Sequence, residues 1–378
     1  MSFIPTGYDL AVQTSRTCKS HMKITADTVL NLLFVFLPVP FLAVYFHASA
    51  VVIFVSCCVA IIPLAGVMGK ATEYLADRVG SGWGGLLNAS FGNACELIIA
   101  LSALRAGYVD MVRASITGSI IGNILLVLGL SMVAGGIRHQ TQTFNRTAAT
   151  TSATLLALAA ISLCVPAVFH HAAHKGAHIN ELRLAVVISS IQFGVYLLSL
   201  LFSLKTHKQL YICEVDAEKE EAIGVTGWGV KRSIIVLAAS TVLVAILSEF
   251  LTHAVEEAAH TLGMTQLFIG TVLVAIVGNA AEHSTSVMMA MKNKMDLSMN
   301  IALGSGAQIA LFVAPVIVFA SFFLGHPMRL LFSEFELLSI VVSVIILGYV
   351  ATDGECNWLE GVQLLAVYLI LCAAFYFA

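Results

Sequence analysis

The chain contains the same short phrase twice, and this duplication constrains its fold more than any other feature. Gly-Asn-Ala-Cys-Glu at 92–96 returns as Gly-Asn-Ala-Ala-Glu at 278–282, which is 186 residues further along. The same offset, without a gap, aligns Asp110 with Asp296, Gly118 with Gly304, and Ser119 with Ser305. The two copies therefore belong to one duplicated unit. The matching Asp residues are expected to lie at helix starts and to cap them.

Long apolar runs surround both copies. Hydrophobic residues make up 59% of the chain and charged residues 11%, with a mean hydropathy of +0.93. A soluble domain has about 25% charged residues. The runs are too long and unbroken for the alternating segments of a β-barrel. The sequence therefore predicts an all-α polytopic membrane protein whose partner is the lipid bilayer. Its net charge of −3 leaves no basic surface for nucleic acid.

Because a membrane crossing needs about 20 apolar residues, the chain divides into eleven predicted transmembrane helices. Their spans are 25–46, 50–78, 82–105, 109–136, 147–170, 180–204, 229–260, 264–291, 296–324, 330–350 and 357–377. The predicted organisation has four parts. They are an N-terminal segment with one extra helix (1–49), a first five-helix repeat (50–204), an acidic cytoplasmic linker (205–228) and a second five-helix repeat (229–378).

The positive charges predict how the helices are oriented. With a cytoplasmic N-terminus, fourteen of the nineteen Lys and Arg residues fall on the cytoplasmic side and five on the other. The first motif then lies on the third helix and the second on the eighth, which runs the opposite way. Such an inverted-topology repeat places its site near the membrane midplane, between the repeats. We expect a multi-pass protein of the plasma membrane.

Each copy places an amide and a carboxylate on one helix face. Asn93 and Glu96 are three residues apart, as are Asn279 and Glu282. A charged side chain inside the bilayer costs about 2.5–3.5 kcal/mol, so its presence in both copies indicates function. Two carboxylates with amide and freed backbone oxygens form a hard site that suits Ca²⁺. Mg²⁺ resists dehydration, and zinc favours His or Cys ligands. The sequence therefore predicts a cation site.

The same carboxylates predict coupling to protons. Two neighbouring acids in a low dielectric cannot both stay charged once the cation leaves, so they bind protons as a coupled pair. Cation and protons then exclude one another. Glu73 and Glu256 precede the two motifs at roughly corresponding places. They are candidate proton relays or secondary ligands, with solvated charges at the pathway mouths as the alternative. Ser119, Ser305 and His283 are expected to line the pathway, and His283 either orients Glu282 or titrates with it.

The motif pair, followed by Gly-Ser-Gly-Ala-Gln-Ile at 304–309, resembles the paired repeats of the calcium/proton antiporters, a branch of the Ca²⁺:cation antiporter superfamily. The resemblance covers nearly all of the chain after residue 50. It implies alternating access by the sliding of the first and sixth segments of the core, which here are either the second and seventh predicted helices or an extra pair flanking them. It also implies Glu96 and Glu282 as central ligands, Asn93 and Asn279 beside them, and Asn123 and Gln308 as polar wall residues. Cys95 and Gly122 stand where the family commonly has Thr and Ser, which leaves a hydroxyl contribution there open.

Three other functions are weighed against calcium/proton exchange. Sodium/calcium exchange would use the same site with another counter-ion, and a cation channel would use it without coupling. An enzyme is not expected, because neither HExxH nor GxSxG occurs. No cofactor is expected beyond the transported Ca²⁺ and H⁺, and a homo-oligomer is left open.

Two polar features outside the motifs have alternative interpretations. The acidic run at 214–221 either senses cations or is a solvated linker. The histidines between the fifth and sixth helices either bind a transition metal, sense pH or belong to an ordinary polar loop. They are His170, His171, His174 and His178.

Overall fold

The protein is represented by a computed structural model that describes residues 32–79, 84, 87–88, 90–172, 178–207 and 228–377. Most of the predicted N-terminal segment lies outside these residues. The acidic run at 214–221 and His174 lie outside them as well, so the interpretations of these segments stay predictions.

Within the described part, the structure consists of helices joined by turns and loops, with two short strands. The helices are α1 (Phe34–Tyr45), α2 (Ala50–Val79), α3 (Ala94–Arg105), α4 (Val109–Gly136), α5 (Arg146–Ala172), α6 (His178–Leu201), α7 (Val230–Leu262), α8 (Gln266–Met291), α9 (Met295–Phe323), α10 (Glu334–Asp353) and α11 (Trp358–Phe377). The strands are β1 (Gln142–Thr143) and β2 (Glu355–Cys356), which pair antiparallel.

Nine of these helices, counted over the described residues, are long and apolar enough to cross a membrane; α1 and α3 are shorter. Large apolar side chains cover the outside of the bundle. Phe323 is 91% exposed, Tyr349 74% and Ile235 67%, which suits contact with lipid and not with water. The all-α, polytopic part of the prediction is confirmed. The figure of eleven membrane-spanning helices stays a prediction.

Helices of the first half of the chain pack against helices of the second half. Helix α2 packs along α7; α2 also contacts α8, and α7 contacts α3. In the same way, α6 packs on α9, whereas α11 packs on α4. Helices α5 and α10 contact each other. Helices of one half are therefore stabilised by helices of the other half.

Backbone details recur at the same offset as the motifs. A π-helical stretch interrupts α4 at Gly122–Val127 and α9 at Ile309–Val313. The turn before each of these helices contains one residue with positive φ, Gly107 at 88° and Asn293 at 60°. Gly and Asn are the residues that tolerate this conformation best. The duplication seen in the sequence thus extends to local backbone geometry.

One expectation about the repeated aspartates is wrong. Tyr108 and Lys294 occupy the N-cap positions of α4 and α9, and neither side chain caps its helix. Asp110 and Asp296 lie two residues after these N-cap positions, in the first turn. Asp110 accepts a hydrogen bond from Arg113, and Asp296 accepts one from the backbone N–H of Asn145. Asp296 therefore ties α9 to the chain segment before α5, whereas Asp110 contacts a residue of its own helix.

The repeated glycines provide a test of the packing. A Cβ on Gly118 would lie 1.9 Å from the carbonyl oxygen of Thr271 on α8, whereas a Cβ on Gly304 would meet no described atom within 4 Å. We expect Gly118→Ala to lower the stability by about 1–3 kcal/mol, because overpacking forces backbone shifts. Gly304→Ala, the matched control, should change it little. Thermal unfolding in detergent compares the two, and equal midpoints would contradict the close approach of α4 and α8.

Candidate functional site

The two motifs meet at the centre of the bundle but enter it differently. Asn93 is the N-cap residue of α3 and follows a break in the helix, whereas Asn279 lies inside the continuous helix α8. The Gly-Asn pair therefore coincides with a helix break in the first copy but not in the second. In α8 the irregular backbone is instead the π-helical stretch Ile269–Val274, which precedes the motif. Both asparagines are 1% exposed.

A network of amides and hydroxyls joins the two motifs. The Asn279 amide donates to Ser119 Oγ over 3.0 Å, and Ser305 Oγ donates to Asn93 Oδ1 over 3.4 Å. Each motif asparagine is therefore bonded to a serine from the other half. Asn123 lies between them and donates to Ser305 Oγ at 3.0 Å and to Asn279 Oδ1 at 3.3 Å.

Gln308 extends this network on the side of the first motif. Its Oε1 accepts a hydrogen bond from the Asn93 amide over 2.5 Å. The same oxygen would lie 4.0 Å from a Cβ placed on Gly92, so Gln308 faces the break that precedes α3. The structure thus brings together five of the polar side chains predicted for the site: the two motif asparagines, Ser305, Asn123 and Gln308. Ser119 joins them through Asn279.

The two motif glutamates are neighbours. A Cβ on Gly278 would lie 3.0 Å from Glu96 Cγ and 3.7 Å from Glu96 Oε1, so the first carboxylate packs directly on the second motif. The lack of a side chain at Gly278 makes this approach possible. Glu282 lies beside Ser305 and close enough for its charge to act on Glu96. The predicted convergence of the two acids is therefore present in the structure.

The surroundings of these carboxylates supply no fixed positive charge. Both residues are half-buried, and the Oε2 atom of each is buried without a hydrogen-bond partner among the described residues. In the same part of the chain, no ion pair joins either glutamate to Lys, Arg or His. Because an uncompensated buried charge is expensive, each acid needs either a proton or a mobile cation.

The second pair of predicted acids is more exposed than this cluster. Glu73 on α2 and Glu256 on α7 are both exposed. Glu256 Oε2 accepts a hydrogen bond from the Tyr108 hydroxyl over 3.1 Å. Partial burial of Tyr108, followed by this hydrogen bond, raises the pKa of its phenol, so the phenol stays a donor. The roles of Glu73 and Glu256 as relays or ligands stay predictions, as does that of the half-buried His283 next to Glu282.

Sequence reasoning did not anticipate Tyr108. The preceding residue, Gly107, has positive φ and turns the chain between α3 and α4, so that the phenol reaches α7. This glycine is the sequence signal that could have pointed to the contact. This contact joins a turn in the first half of the chain to a helix in the second half. A tyrosine next to a glycine in a short loop carries no further mark in the sequence.

The described histidines of this segment lie next to carboxylates. His170 Nδ1 lies 2.6 Å from Glu181 Oε1, whose second oxygen accepts from Arg329 over 2.8 Å. His171 lies 3.6 Å from Glu334. No group of three or more His, Cys, Asp or Glu side chains able to hold a metal occurs among the described residues. The transition-metal interpretation thus gains no support from His170 and His171.

Comparison with known proteins identifies the family to which the chain belongs. The model of the sodium/calcium exchanger protein family matches residues 49–205 and 232–377. The chain belongs to this family. It is 43% identical to a Ca²⁺/H⁺ antiporter of Aphanothece halophytica, over 93% of the chain and 97% of that protein. It is 44% identical to the Ca²⁺/H⁺ antiporter ChaA of Bacillus subtilis, over 87% of the chain and 93% of that protein.

Solved structures agree with this assignment. The native structure of YfkE is 40% identical, covers 92% of the chain and all of its own, and superposes with a TM-score of 0.80. A crystal structure of the H⁺/Ca²⁺ exchanger CAX, only 12% identical, superposes with a TM-score of 0.66 over 93% of each chain and shares the fold. The resemblance to the calcium/proton antiporters, inferred from the doubled motif, is confirmed.

The network predicts unequal roles for the two repeated serines. Ser305 contacts both motif asparagines, Asn123 and Glu282, whereas Ser119 accepts from Asn279. Ser305→Ala should therefore destabilise the protein by about 1–3 kcal/mol, since it leaves several buried groups unpaired. Ser119→Ala, its repeat counterpart, should cost less. Thermal unfolding of both variants in detergent measures the difference; a larger effect of Ser119→Ala would contradict the asymmetry.

Proposed function

We propose that the chain exchanges Ca²⁺ for H⁺ across a membrane at the site formed by Glu96 and Glu282. The observation that carries this proposal is the meeting of two carboxylates, one from each half, without a fixed positive partner in the described structure. The antiporter names of relatives more than 40% identical over nearly their whole length support the same ions. They also favour protons over sodium as the counter-ion.

The cation step uses oxygen atoms alone. The carboxylates of Glu96 and Glu282 balance the two charges of Ca²⁺. The side-chain oxygens of Asn93, Asn279 and Ser305 lie beside them and could complete the shell with water. Ca²⁺ accepts six to eight oxygens in flexible geometry, so it tolerates such a mixed set. A site with two acids and neutral oxygens also releases its ion more readily than one with many carboxylates.

The proton step follows from the same charges. When Ca²⁺ leaves, two carboxylates remain close together in a poorly solvated site, and their repulsion favours protonation. A protonated carboxyl no longer attracts Ca²⁺, so the two ions exclude each other. Exclusive occupancy of one site that opens to alternate sides is sufficient to couple the two fluxes.

Two inverted five-helix repeats, at 50–204 and 229–378, are part of the proposal, with an extra N-terminal helix and a cytoplasmic N-terminus. The recurrence of π-helical stretches and turns at one offset supports the duplication, and the exchanged helix contacts support a twofold relation. Within this arrangement α2 and α7 are assigned as the sliding pair. They pack along each other, and each contacts the motif helix of the other half. The membrane is proposed to be the plasma membrane.

The two central carboxylates should be individually essential. We expect Glu96→Gln or Glu282→Gln to abolish ⁴⁵Ca²⁺ uptake driven by a pH gradient in proteoliposomes, because each substitution removes a charge and a proton acceptor. The control is Glu334→Gln, whose side chain is 90% exposed and lies on α10; it should transport normally. Normal uptake by either central variant would overturn the assignment of the site.

The identity of the counter-ion is tested by measuring proton flux under different cation gradients. In proteoliposomes with a pH-sensitive dye, an inward Ca²⁺ gradient should drive protons outward against their own gradient, and Na⁺ or K⁺ should not. Mn²⁺ in the same assay reports selectivity. A sodium gradient that moves Ca²⁺ at fixed pH would instead establish sodium/calcium exchange. Ca²⁺ flux that never moves protons uphill would indicate a channel.

A further inference from the structure

The buried face of α6 carries polar side chains that the exchange site does not use. Ser189 and Gln192 lie three residues apart and are both 0% exposed. Ser189 Oγ and both polar atoms of the Gln192 amide have no hydrogen-bond partner among the described residues. Leaving such a group unpaired costs about 1–3 kcal/mol. The backbone N–H and C=O groups of a membrane helix are already hydrogen-bonded to each other. These side chains therefore need other hydrogen-bond partners.

The same face continues into a cavity. Tyr196, one turn beyond Gln192, is 3% exposed and lines a cavity of about 350 Å³ between α5, α6 and α9. Gln192 and Tyr196 are separated by about 6 Å along the helix axis, a distance that one bridging water covers. The far wall of the cavity contains Gln308, whose amide oxygen accepts from Asn93. The polar face of α6 and the exchange site therefore border one space.

The lining of this cavity suits water better than a divalent cation. Most lining residues are apolar, and none of those described is acidic. The hydroxyls of Thr151, Ser199 and Ser203 donate to carbonyls of their own helices, which leaves their lone pairs free to accept from water. Ca²⁺ gives up hydration only to charged or numerous oxygens, which this wall lacks. Protons need only a hydrogen-bonded chain.

We propose that Ser189, Gln192 and this cavity hold a chain of water molecules that exchanges protons with the Glu96–Glu282 pair, apart from the route of Ca²⁺. The inference rests on the proposed exchange function and adds a pathway to it. A hydronium ion in the cavity passes one proton through successive waters beside Gln308 to a carboxylate. The carboxylate becomes a carboxyl and the hydronium becomes water, and the reverse step restores both.

The test separates two modes of transport in proteoliposomes. Exchange of external ⁴⁵Ca²⁺ for internal Ca²⁺ needs no net proton movement, whereas Ca²⁺/H⁺ exchange, followed with a pH-sensitive dye, does. In Gln192→Leu we expect the proton-coupled rate to fall about tenfold or more, since proton transfer loses its relay. The Ca²⁺/Ca²⁺ rate should stay close to that of the parent protein. Ser199→Leu, which narrows the cavity, should have the same selective effect.

Two further variants make the result specific. Gln192→Asn keeps an amide at the position and should retain most proton-coupled exchange. Ser190→Leu is the matched control, because Ser190 lies on the exposed side of the same helix and donates to its own backbone; it should change neither mode. Equal loss of both modes in Gln192→Leu would indicate a structural role and overturn the proposal. So would full proton-coupled activity in Gln192→Leu and Ser199→Leu.

A second measurement detects the water itself. Radiolytic hydroxyl labelling, read by mass spectrometry, modifies side chains next to bound water even when they are buried. Tyr196 should be labelled in the parent protein and less so in Gln192→Leu. An unlabelled Tyr196 would count against the inference alone. If the parent protein itself fails to couple Ca²⁺ to protons, the proposed function fails first.

Discussion

The structure depends on the meeting of two carboxylates that have no permanent positive partner in its described part. Glu96 packs against Gly278, and Glu282 lies beside Ser305, so each acid lies next to a small residue of the second half. In a membrane interior this arrangement is tolerable only while a cation or protons are bound. The surrounding amides and hydroxyls are neutral and mutually hydrogen-bonded. The site can therefore change its net charge without breaking the framework that holds it.

The two halves share a backbone plan but not a symmetric site. Turns and π-helical stretches recur at the same offset, yet the first motif follows a helix break and the second lies within a helix. Asn123 has Ile309 as its counterpart, and Gln308 has Gly122. Ile309 and Gly122 cannot make the side-chain hydrogen bonds that Asn123 and Gln308 make. The network is therefore asymmetric between the two repeats. This asymmetry gives Glu96 and Glu282 different neighbours.

The sequence was sufficient for the helices and the motif pair because both leave a periodic or repeated signal. Apolar runs mark the spans, and a shared offset marks the acids that meet. Side-chain partners leave no such signal. The aspartates at 110 and 296 were expected to cap helices, but the turns before them place Tyr108 and Lys294 at the caps. Ser189 and Gln192 are ordinary residues within an apolar run, and their lack of partners becomes visible only when the neighbouring helices are in place.

The distribution of polar contacts indicates which helices can move. At one end of α5, β1 and β2 tie the connection before α5 to the connection after α10. At its other end, Glu181 ties α6 to Arg329, which precedes α10. These links cross-brace the helices behind the site. By contrast, the long contact between α2 and α7 is apolar over most of its length, and the Tyr108–Glu256 hydrogen bond at the surface ties α7 to the turn before α4. Apolar helix faces gain little over contact with lipid, so the sliding proposed for this pair would cost less than breaking the braces.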